Sequence, residues 1–327
     1  MNLFSKRTIL LIAFTLLPAS LFGQHPAPDG TPRPLTPKGR YFMQPVWSPD
    51  GTKIAFAESN YRGIWVKWLD SGKLEQIVNK PGAGYRFAWS PDSRYIAFRA
   101  RYEEHRRARH AIEVVDVASK EVRRFTPLQK RVGLPIWGTS NATLFYTQNQ
   151  KLRKISTGLQ TRRDRLFRPP HGGREIVVFT SYQQLRVAER FDSLLVRPLL
   201  PEQKVLNPVL SPDGIHLAFE EYGGDLIVLN IDSGRRISLG EGYRPSWSPD
   251  GKWLCYMITR DDGHQFLASD IYAASADGGQ KVRLTDTEDL LEMNPSWSPD
   301  GRSIAFDEHK SGQIFLLKIK TVRNEEQ

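Results

Sequence analysis

The sequence predicts an all-β fold, a closed β-propeller of four-stranded antiparallel blades. The prediction depends on one phrase, Trp-Ser-Pro-Asp-Gly followed by a short apolar strand, which recurs with small changes along the chain. Self-similarity at a period of about 40–50 residues is typical of repeat architectures, and about four short strands per repeat are typical of a propeller blade. The copies begin at Trp47, Trp89, Trp137, Leu210, Trp247 and Trp297.

Each copy opens with a turn in which every residue has a separate role. Serine suits the first position of a type I turn, proline fixes φ at the second, aspartate suits the third, and glycine takes the left-handed conformation that follows. A turn of this kind closes a tight β-hairpin. Ser93 and Asn141 replace the glycine in two copies, and we expect both to be left-handed.

The strand after the turn alternates large and small side chains, as Ile54 and Phe56 do around Ala55. This alternation suits sheets that stack face to face, with the tryptophan of each repeat filling the space between neighbours. Cys255, the one cysteine of the chain, occupies the small position of its repeat. We therefore predict that it is a buried packing residue and not a nucleophile.

The ends of the repeat array predict how the ring closes. The last repeat stops after its third strand, at residues 313–320, and the segment PRPLT at 32–36 has no partner in its own neighbourhood. We predict that this N-terminal segment supplies the missing fourth strand, because a closed ring has no exposed sheet edges.

The number of blades depends on the long interval before Leu210. Residues 172–181, 183–189 and 193–200 fill that interval and predict three strands of a degenerate blade. Seven blades are therefore favoured over six.

Residues 1–23 have the layout of a secretory signal peptide, with two basic residues, an apolar run over 9–17 and small residues before Gln24. The run is shorter than the roughly 20 residues that span a bilayer. We expect cleavage before Gln24, a single propeller domain over 24–327, no stable membrane insertion afterwards, and a periplasmic or secreted location. With one cysteine, the exported chain has no internal disulfide framework.

The net charge of the chain is +10, and loss of Lys6 and Arg7 with the signal peptide leaves +8. A basic exported protein attracts anionic glycans, phospholipid headgroups or acidic protein surfaces. Export makes nucleic acid an unsuitable partner. Two basic runs stand out, Arg99–Arg109 in what we expect to be a long loop of the second repeat, and Arg162–Arg168 further on.

The phrase WSPDG with IAF behind it, together with the later DGG and RLT, resembles the PD40 repeats of TolB-family propellers over roughly residues 32–320. The resemblance implies an exported propeller that often serves as a docking platform for other proteins. TolB itself has an α/β domain before its propeller, and residues 24–40 leave no room for one, so we do not expect a true Tol–Pal role. Some polysaccharide lyases use a related propeller with a metal bound by histidines.

The register of the repeats predicts a polar ring. The position three before each repeat start lies at the beginning of the innermost strand, which approaches the central channel of a propeller. Such a ring would suit a carboxylate, a phosphate or an acidic peptide. The residues at this position are Gln44, Arg86, Leu134, Asn207, Arg244 and Asn294, and Tyr85 and Tyr243 precede the two arginines and could stack on a ligand.

Catalytic motifs are absent from the sequence, which contains neither G-x-S-x-G nor H-E-x-x-H. No two histidines have the spacing of a helical metal site, although His171 and His264 could converge in space, and His216 has a surface or packing position. We therefore predict no catalytic residue, no cofactor and no metal.

Two hypotheses for function follow. The first is a monomeric, non-catalytic exported scaffold that binds a protein partner or an anionic glycan at one face and the channel mouth. The alternative is a metal-dependent lyase or hydrolase that acts on an acidic saccharide, with Arg86, Arg244 and a histidine in the channel.

Overall fold

The computed structural model describes residues 23–159, 176–181, 184–189 and 195–323, and this part of the chain is built from antiparallel β-sheets without an α-helix. The signal-peptide prediction concerns residues that lie almost entirely outside these ranges. In the described ranges, no helix has the length and apolar character needed to cross a bilayer. The all-β propeller prediction is confirmed.

The strands follow the order of the repeats. The N-terminal segment forms β1 (Gln24–Pro28) and β2 (Arg33–Pro34), and the first blade contains β3 (Phe42–Trp47), β4 (Lys53–Glu58), β5 (Ile64–Trp68) and β6 (Leu74–Val78), with a short 3-10 turn at Ser59–Tyr61. The second blade contains β7 (Ala88–Trp89), β8 (Tyr95–Glu104), β9 (Arg107–Asp116) and β10 (Val122–Arg124). The third sheet contains β11 (Ile136–Trp137), β12 (Thr143–Gln148) and β13 (Lys151–Ser156).

The second half begins with a six-stranded sheet of β14 (Ile176–Ser181), β15 (Gln184–Glu189), β16 (Leu195–Leu210), β17 (His216–Glu221), β18 (Leu226–Asn230) and β19 (Arg236–Ser238). The next blade contains β20 (Tyr243–Trp247), β21 (Trp253–Asp261), β22 (Phe266–Ser275) and β23 (Lys281–Arg283). The last blade contains β24 (Glu292–Trp297), β25 (Ser303–Glu308) and β26 (Ile314–Arg323).

The long strand β16 matters for the number of blades, because it pairs with strands on both of its sides. Its first part pairs with β15 and its second part, from Val205, pairs with β17, so one continuous strand serves two groups of strands. The three strands expected of a degenerate blade are present in the described residues of this sheet. The seven-blade count stays a prediction, because the two groups share β16.

The ring closes as the sequence predicts. Strand β26 pairs with β2, at Arg33 opposite Leu316, and continues beyond it to pair with β1, at Pro28 opposite Ile319. Hydrogen bonds from Gln313 Nε2 to Thr36 O (2.6 Å) and from Ile314 N to Thr36 Oγ1 (2.9 Å) extend the connection. The N-terminal segment therefore completes the last blade.

The repeated tryptophans connect neighbouring sheets, as expected. The indole Nε1 of Trp89 donates to Val46 O of the first blade (3.1 Å), and that of Trp47 donates to Ser296 O of the last blade (3.1 Å). Trp137 and Trp247 make the equivalent bonds to Ala88 O and Val209 O. Trp297 departs from the pattern and donates to Gly301 O of its own turn.

Apolar side chains fill the space between sheets. One cluster joins Ala218 and Val228 of the six-stranded sheet to Trp247 and Tyr256 of the next blade. Cys255 lies fully buried in a neighbouring cluster, and burial raises the pKa of its thiol, which confirms the packing role.

The serine hydroxyl of each Ser-Pro-Asp turn donates one hydrogen bond to the turn aspartate and accepts one from the backbone at the start of the next strand. Ser298 Oγ donates to Asp300 Oδ1 (2.6 Å) and accepts from Ser303 N (2.9 Å), so the turn side chains satisfy the backbone at the start of β25. Ser93 is left-handed (φ 63°), as expected. Asn141 is not among the left-handed residues, so that expectation was wrong; it is fully buried, and Thr157 donates to its carbonyl.

Replacing Ser298 with alanine should lower the free energy of unfolding by about 1–3 kcal/mol, because the N–H of Ser303 would be left without its buried acceptor. Urea unfolding followed by circular dichroism measures the change. An equal loss from Ser119→Ala, in an exposed turn, would contradict the explanation.

Two hairpins extend beyond the others. Strands β8 and β9 pair along ten residues each and turn at His105 and Arg106, which are both left-handed. The expectation of a long loop over 99–109 was therefore wrong, because most of these residues are paired in the hairpin. Strands β21 and β22 form a similar extension. Since each second strand runs antiparallel to the inner one, both hairpins rise on the face where the inner strands begin.

Candidate functional site

The inner strands share an unusual backbone conformation at the position of the predicted polar ring. Left-handed backbone is uncommon outside glycine and costs of the order of 1–3 kcal/mol per residue. The five polar members have it, with φ values of 56° at Gln44, 53° at Arg86, 50° at Asn207, 56° at Arg244 and 51° at Asn294. The strand ladder shifts register around four of these positions, so the inner strand has a β-bulge at each of them.

Buried groups of the preceding blade accept hydrogen bonds from these bulges. Gln44 N donates to Asp307 Oδ1 (2.9 Å), and Arg244 N donates to Glu220 Oε1 (2.7 Å). Neither acid was predicted from the sequence as a site residue. The signal was present, because each acid directly follows the phenylalanine of its repeat, where a buried strand residue is expected to be apolar.

Two arginines from distant sheets meet at one amide. Arg86 Nη2 and Arg244 Nη1 both donate to Asn207 Oδ1, the second over 3.1 Å. Asn207 Nδ2 donates in turn to Glu220 Oε1 (2.6 Å). The amide orientation is consistent with the network, since its oxygen faces donors only and its nitrogen faces an acceptor.

The remaining two polar ring residues, Gln44 and Asn294, form a second cluster around Asp307. Asn294 Nδ2 donates to both oxygens of Asp307, at 3.0 and 3.3 Å, and the same carboxyl accepts from Gln44 N. Burial raises the pKa of Asp307 to about 7, although these hydrogen bonds partly oppose the change. Asp307 is 3% exposed.

The guanidinium groups here have no described carboxylate in direct contact, although Glu220 lies close enough to attract Arg86. Within the described ranges, no carboxylate forms an ion pair with Arg86, Arg99 or Arg244. Burial, and then the nearby Arg244, lower the pKa of Arg86. A partly buried positive charge beside a second one is unfavourable unless an anion offsets it, and Glu220 does so only in part.

All six ring positions, Leu134 included, line one cavity of about 1000 Å³ at the channel. Tyr85 lines it too, with its ring edge-on to Tyr61 (4.9 Å between centroids) and the Arg99 guanidinium 5.6 Å from its centroid. Tyr243 is placed differently: it begins β20 opposite Met257, and it is not among the lining residues. The structure thus gathers every predicted site residue except Tyr243 around one space.

The histidines do not form a comparable site in the described residues. His264 is exposed in the turn between β21 and β22, and His171 lies outside the described ranges. His216 Nδ1 is 3.6 Å from Asp213 Oδ2, which fits a packing role. Among the residues that the structure describes, no group of three or more His, Cys, Asp or Glu is arranged to hold a metal ion. The basic run at Arg162–Arg168 also lies outside these ranges.

Comparison with known proteins gives the following matches. The TolB beta propeller domain model, PD40, matches residues 184–325. An uncharacterized protein of Agrobacterium fabrum, Atu1656, is 35% identical over 118 residues, which cover 34% of this chain and 38% of that protein. A protein TolB homolog of Chlorobium luteolum is 33% identical over 125 residues, 36% of this chain and 27% of the relative. The Tol-Pal system protein TolB of Francisella tularensis subsp. mediasiatica is 22% identical over 273 residues, 78% of this chain and 54% of the relative.

Solved structures show the same fold. The crystal structure of TolB from Acinetobacter baumannii superposes with a TM-score of 0.54 at 20% identity, over 79% of this chain and 57% of that one. Oligogalacturonate lyase from Vibrio parahaemolyticus superposes with a TM-score of 0.51 at 14% identity, over 91% of this chain and 96% of that one. The matched segments span well under two thirds of each of the sequence relatives.

Proposed function

We propose that this TolB-like β-propeller is an exported, non-catalytic scaffold that binds an acidic group of a protein partner or an anionic glycan at its channel mouth. The observation that carries the proposal is the meeting of Arg86 and Arg244 on the single neutral oxygen of Asn207. Both charges are held in place before any ligand arrives, so an incoming carboxylate meets donors that need little reorganisation.

Export and a periplasmic or secreted location belong to the same proposal. The signal-like residues 1–23 support them, and so does the similarity to a Tol-Pal system protein. The resemblance to TolB also supports a role in binding another protein.

The alternative, a lyase or hydrolase on an acidic saccharide, would use the same cations to hold its substrate. The described residues that line the channel cavity include asparagine, glutamine and arginine and no histidine, which supports binding over histidine-dependent catalysis. Incubation with uronic-acid polymers should therefore release no unsaturated product that absorbs in the ultraviolet. Release of such a product would contradict the non-catalytic part of the proposal.

Calorimetric titration with trigalacturonate and with a tri-glutamate peptide tests the binding site. Replacing Arg86 or Arg244 with glutamine should weaken the binding of at least one probe by about 10- to 100-fold, since a hydrogen bond to a charged group contributes about 1.5–3 kcal/mol. Maltotriose and tri-glutamine are the uncharged counterparts and should not bind.

Arg302→Gln is the matched control, because it removes the same charge from an exposed turn at the opposite end of a strand pair. The affinity of this variant for both probes should stay within about twofold of that of the unaltered protein, a change in binding free energy below about 0.5 kcal/mol. If Arg302→Gln and Arg244→Gln weaken binding equally, the effect comes from the net charge of the protein, and the proposal of a channel site is wrong.

A further inference from the structure

A second cavity adjoins the channel cavity beside the β8–β9 hairpin. Its volume is about 560 Å³. It shares Arg99, Gly133, Thr147 and Thr180 with the lining of the channel cavity. Its other lining residues are His110, Lys130, Arg131, Val132, Asn149 and Gln150.

The segment 129–133 forms one wall and is fixed at both ends. At one end, His110 N donates to Gln129 O (2.7 Å) and Gln129 N donates to His110 O (2.9 Å). At the other end, Gly133 N donates to Thr147 O (2.7 Å), and a Cβ at Gly133 would lie 2.0 Å from Thr147 Oγ1. Backbone bonds to two different blades therefore determine where Lys130 and Arg131 lie.

The charge of this cavity is entirely positive among the described residues. Arg99, Lys130 and Arg131 line it, no aspartate or glutamate does, and none of the three has an ion pair with a described carboxylate. Arg99 is held by a bond from Nη1 to Val132 O (3.2 Å). Burial, and then Arg99, lower the pKa of His110, so its neutral ring adds a hydrogen-bonding group without adding charge at neutral pH.

We propose that this second cavity is a binding site for the phosphate group of a soluble ligand, held by Arg99, Lys130 and Arg131 with His110 beside them. A phosphate monoester carries about −1.5 to −2 charges near pH 7 and three strong acceptor oxygens. The three cations that line the cavity offset that charge, and the planar fork of Arg99 suits its oxygens. Arg99 also borders the channel cavity, but His110, Lys130 and Arg131 do not, so the site is distinct from the one proposed above.

Calorimetric titration with inorganic pyrophosphate at neutral pH and low ionic strength tests the proposal. The double variant Lys130→Ala/Arg131→Ala should weaken binding at least about tenfold. Both side chains are exposed, so the fold should survive, and an unchanged circular dichroism melt would show that it does. The same double variant should leave the affinity for trigalacturonate and tri-glutamate within about twofold, because Lys130 and Arg131 do not line the channel cavity, and this separates the two sites.

Lys252→Ala/Arg302→Ala is the matched control, since it removes one lysine and one arginine from exposed turns that do not line the cavity. Its pyrophosphate affinity should match that of the unaltered protein. No binding by the unaltered protein, or equal weakening in the control, would overturn the proposal.

Sedimentation with phosphatidylglycerol vesicles distinguishes a soluble phosphate from a lipid headgroup. Pyrophosphate binding without sedimentation of the protein supports a soluble ligand. Sedimentation that depends on Lys130 and Arg131 and is not displaced by pyrophosphate would overturn the soluble-ligand assignment and place a lipid phosphate there.

Discussion

Deletion of residues 24–36 should abolish cooperative folding of this propeller, a loss comparable to the whole folding free energy of a typical domain, about 5–15 kcal/mol. The deleted segment contains β1 and β2, which cover the outer edge of β26. It also contains Leu35, which packs against the cluster formed by Phe42 and Ile314. Without it, the last blade has an exposed edge and an open core. Circular dichroism during thermal unfolding measures the result.

Two milder changes show where the effect arises. Removing residues 24–28 alone should cost much less, because β1 is mostly exposed or half-buried. Thr36→Val should cost about 1–3 kcal/mol, since the N–H of Ile314 loses its acceptor at a residue that is 4% exposed. If the chain without residues 24–36 melts cooperatively at the midpoint of the full chain, closure by this segment does not stabilise the ring.

The stability of the protein should fall as the pH rises from about 4 to about 7. Burial raises the pKa of Asp307 from 3.8 to about 7 and that of Glu292 from 4.5 to about 7. Over this range the folded state keeps protons that the unfolded state has lost, so each group lowers the free energy of unfolding by up to about 1.4 kcal/mol per pH unit. Above about pH 7 both carboxyls are ionised in the folded and the unfolded state, so they no longer make the stability depend on pH.

Asp307→Asn isolates one of the two contributions. The amide keeps an oxygen acceptor for Gln44 N and Asn294 Nδ2 but does not titrate. Its stability relative to the unaltered protein should rise between pH 4 and pH 7, by roughly 4 kcal/mol as an upper limit set by the difference between 3.8 and about 7. Urea unfolding at several pH values measures the difference. A difference that stays constant with pH would show that Asp307 is ionised in the folded protein.

Features that depend on residues close in sequence or on the order of the repeats were predictable, and features that depend on side-chain contacts between distant residues were not. The Ser-Pro-Asp-Gly turns, the small position of Cys255 and the pairing of PRPLT with the last blade were predicted correctly, because turn chemistry and strand alternation act over a few residues. The ring position was also predicted, because repeats in register place equivalent residues at equivalent radii.

The predictions that were wrong concern positions where contacts with a neighbouring strand or blade override the conformation that the local sequence favours. Asn141 is favoured for left-handed backbone, yet it is buried and Thr157 donates to its carbonyl. Residues 99–109 are rich in arginine and were expected to be a loop, yet two ten-residue strands pair through them. Tyr243 follows the same pattern as Tyr85 in sequence, but only Tyr85 lines the cavity.

By itself, the sequence determined the repeat, the propeller, the closing segment and the set of polar residues at the start of the inner strands. The tertiary structure decided which of them meet: Arg86 contacts Asn207 across 121 positions of sequence, and Gln44 contacts Asp307 across 263. It also decided that Asp307 and Glu220 are buried and that Lys130 and Arg131 line the same cavity as Arg99. The reason is physical: these contacts join different blades, and their distances depend on how the sheets pack around the axis, which no local pattern encodes.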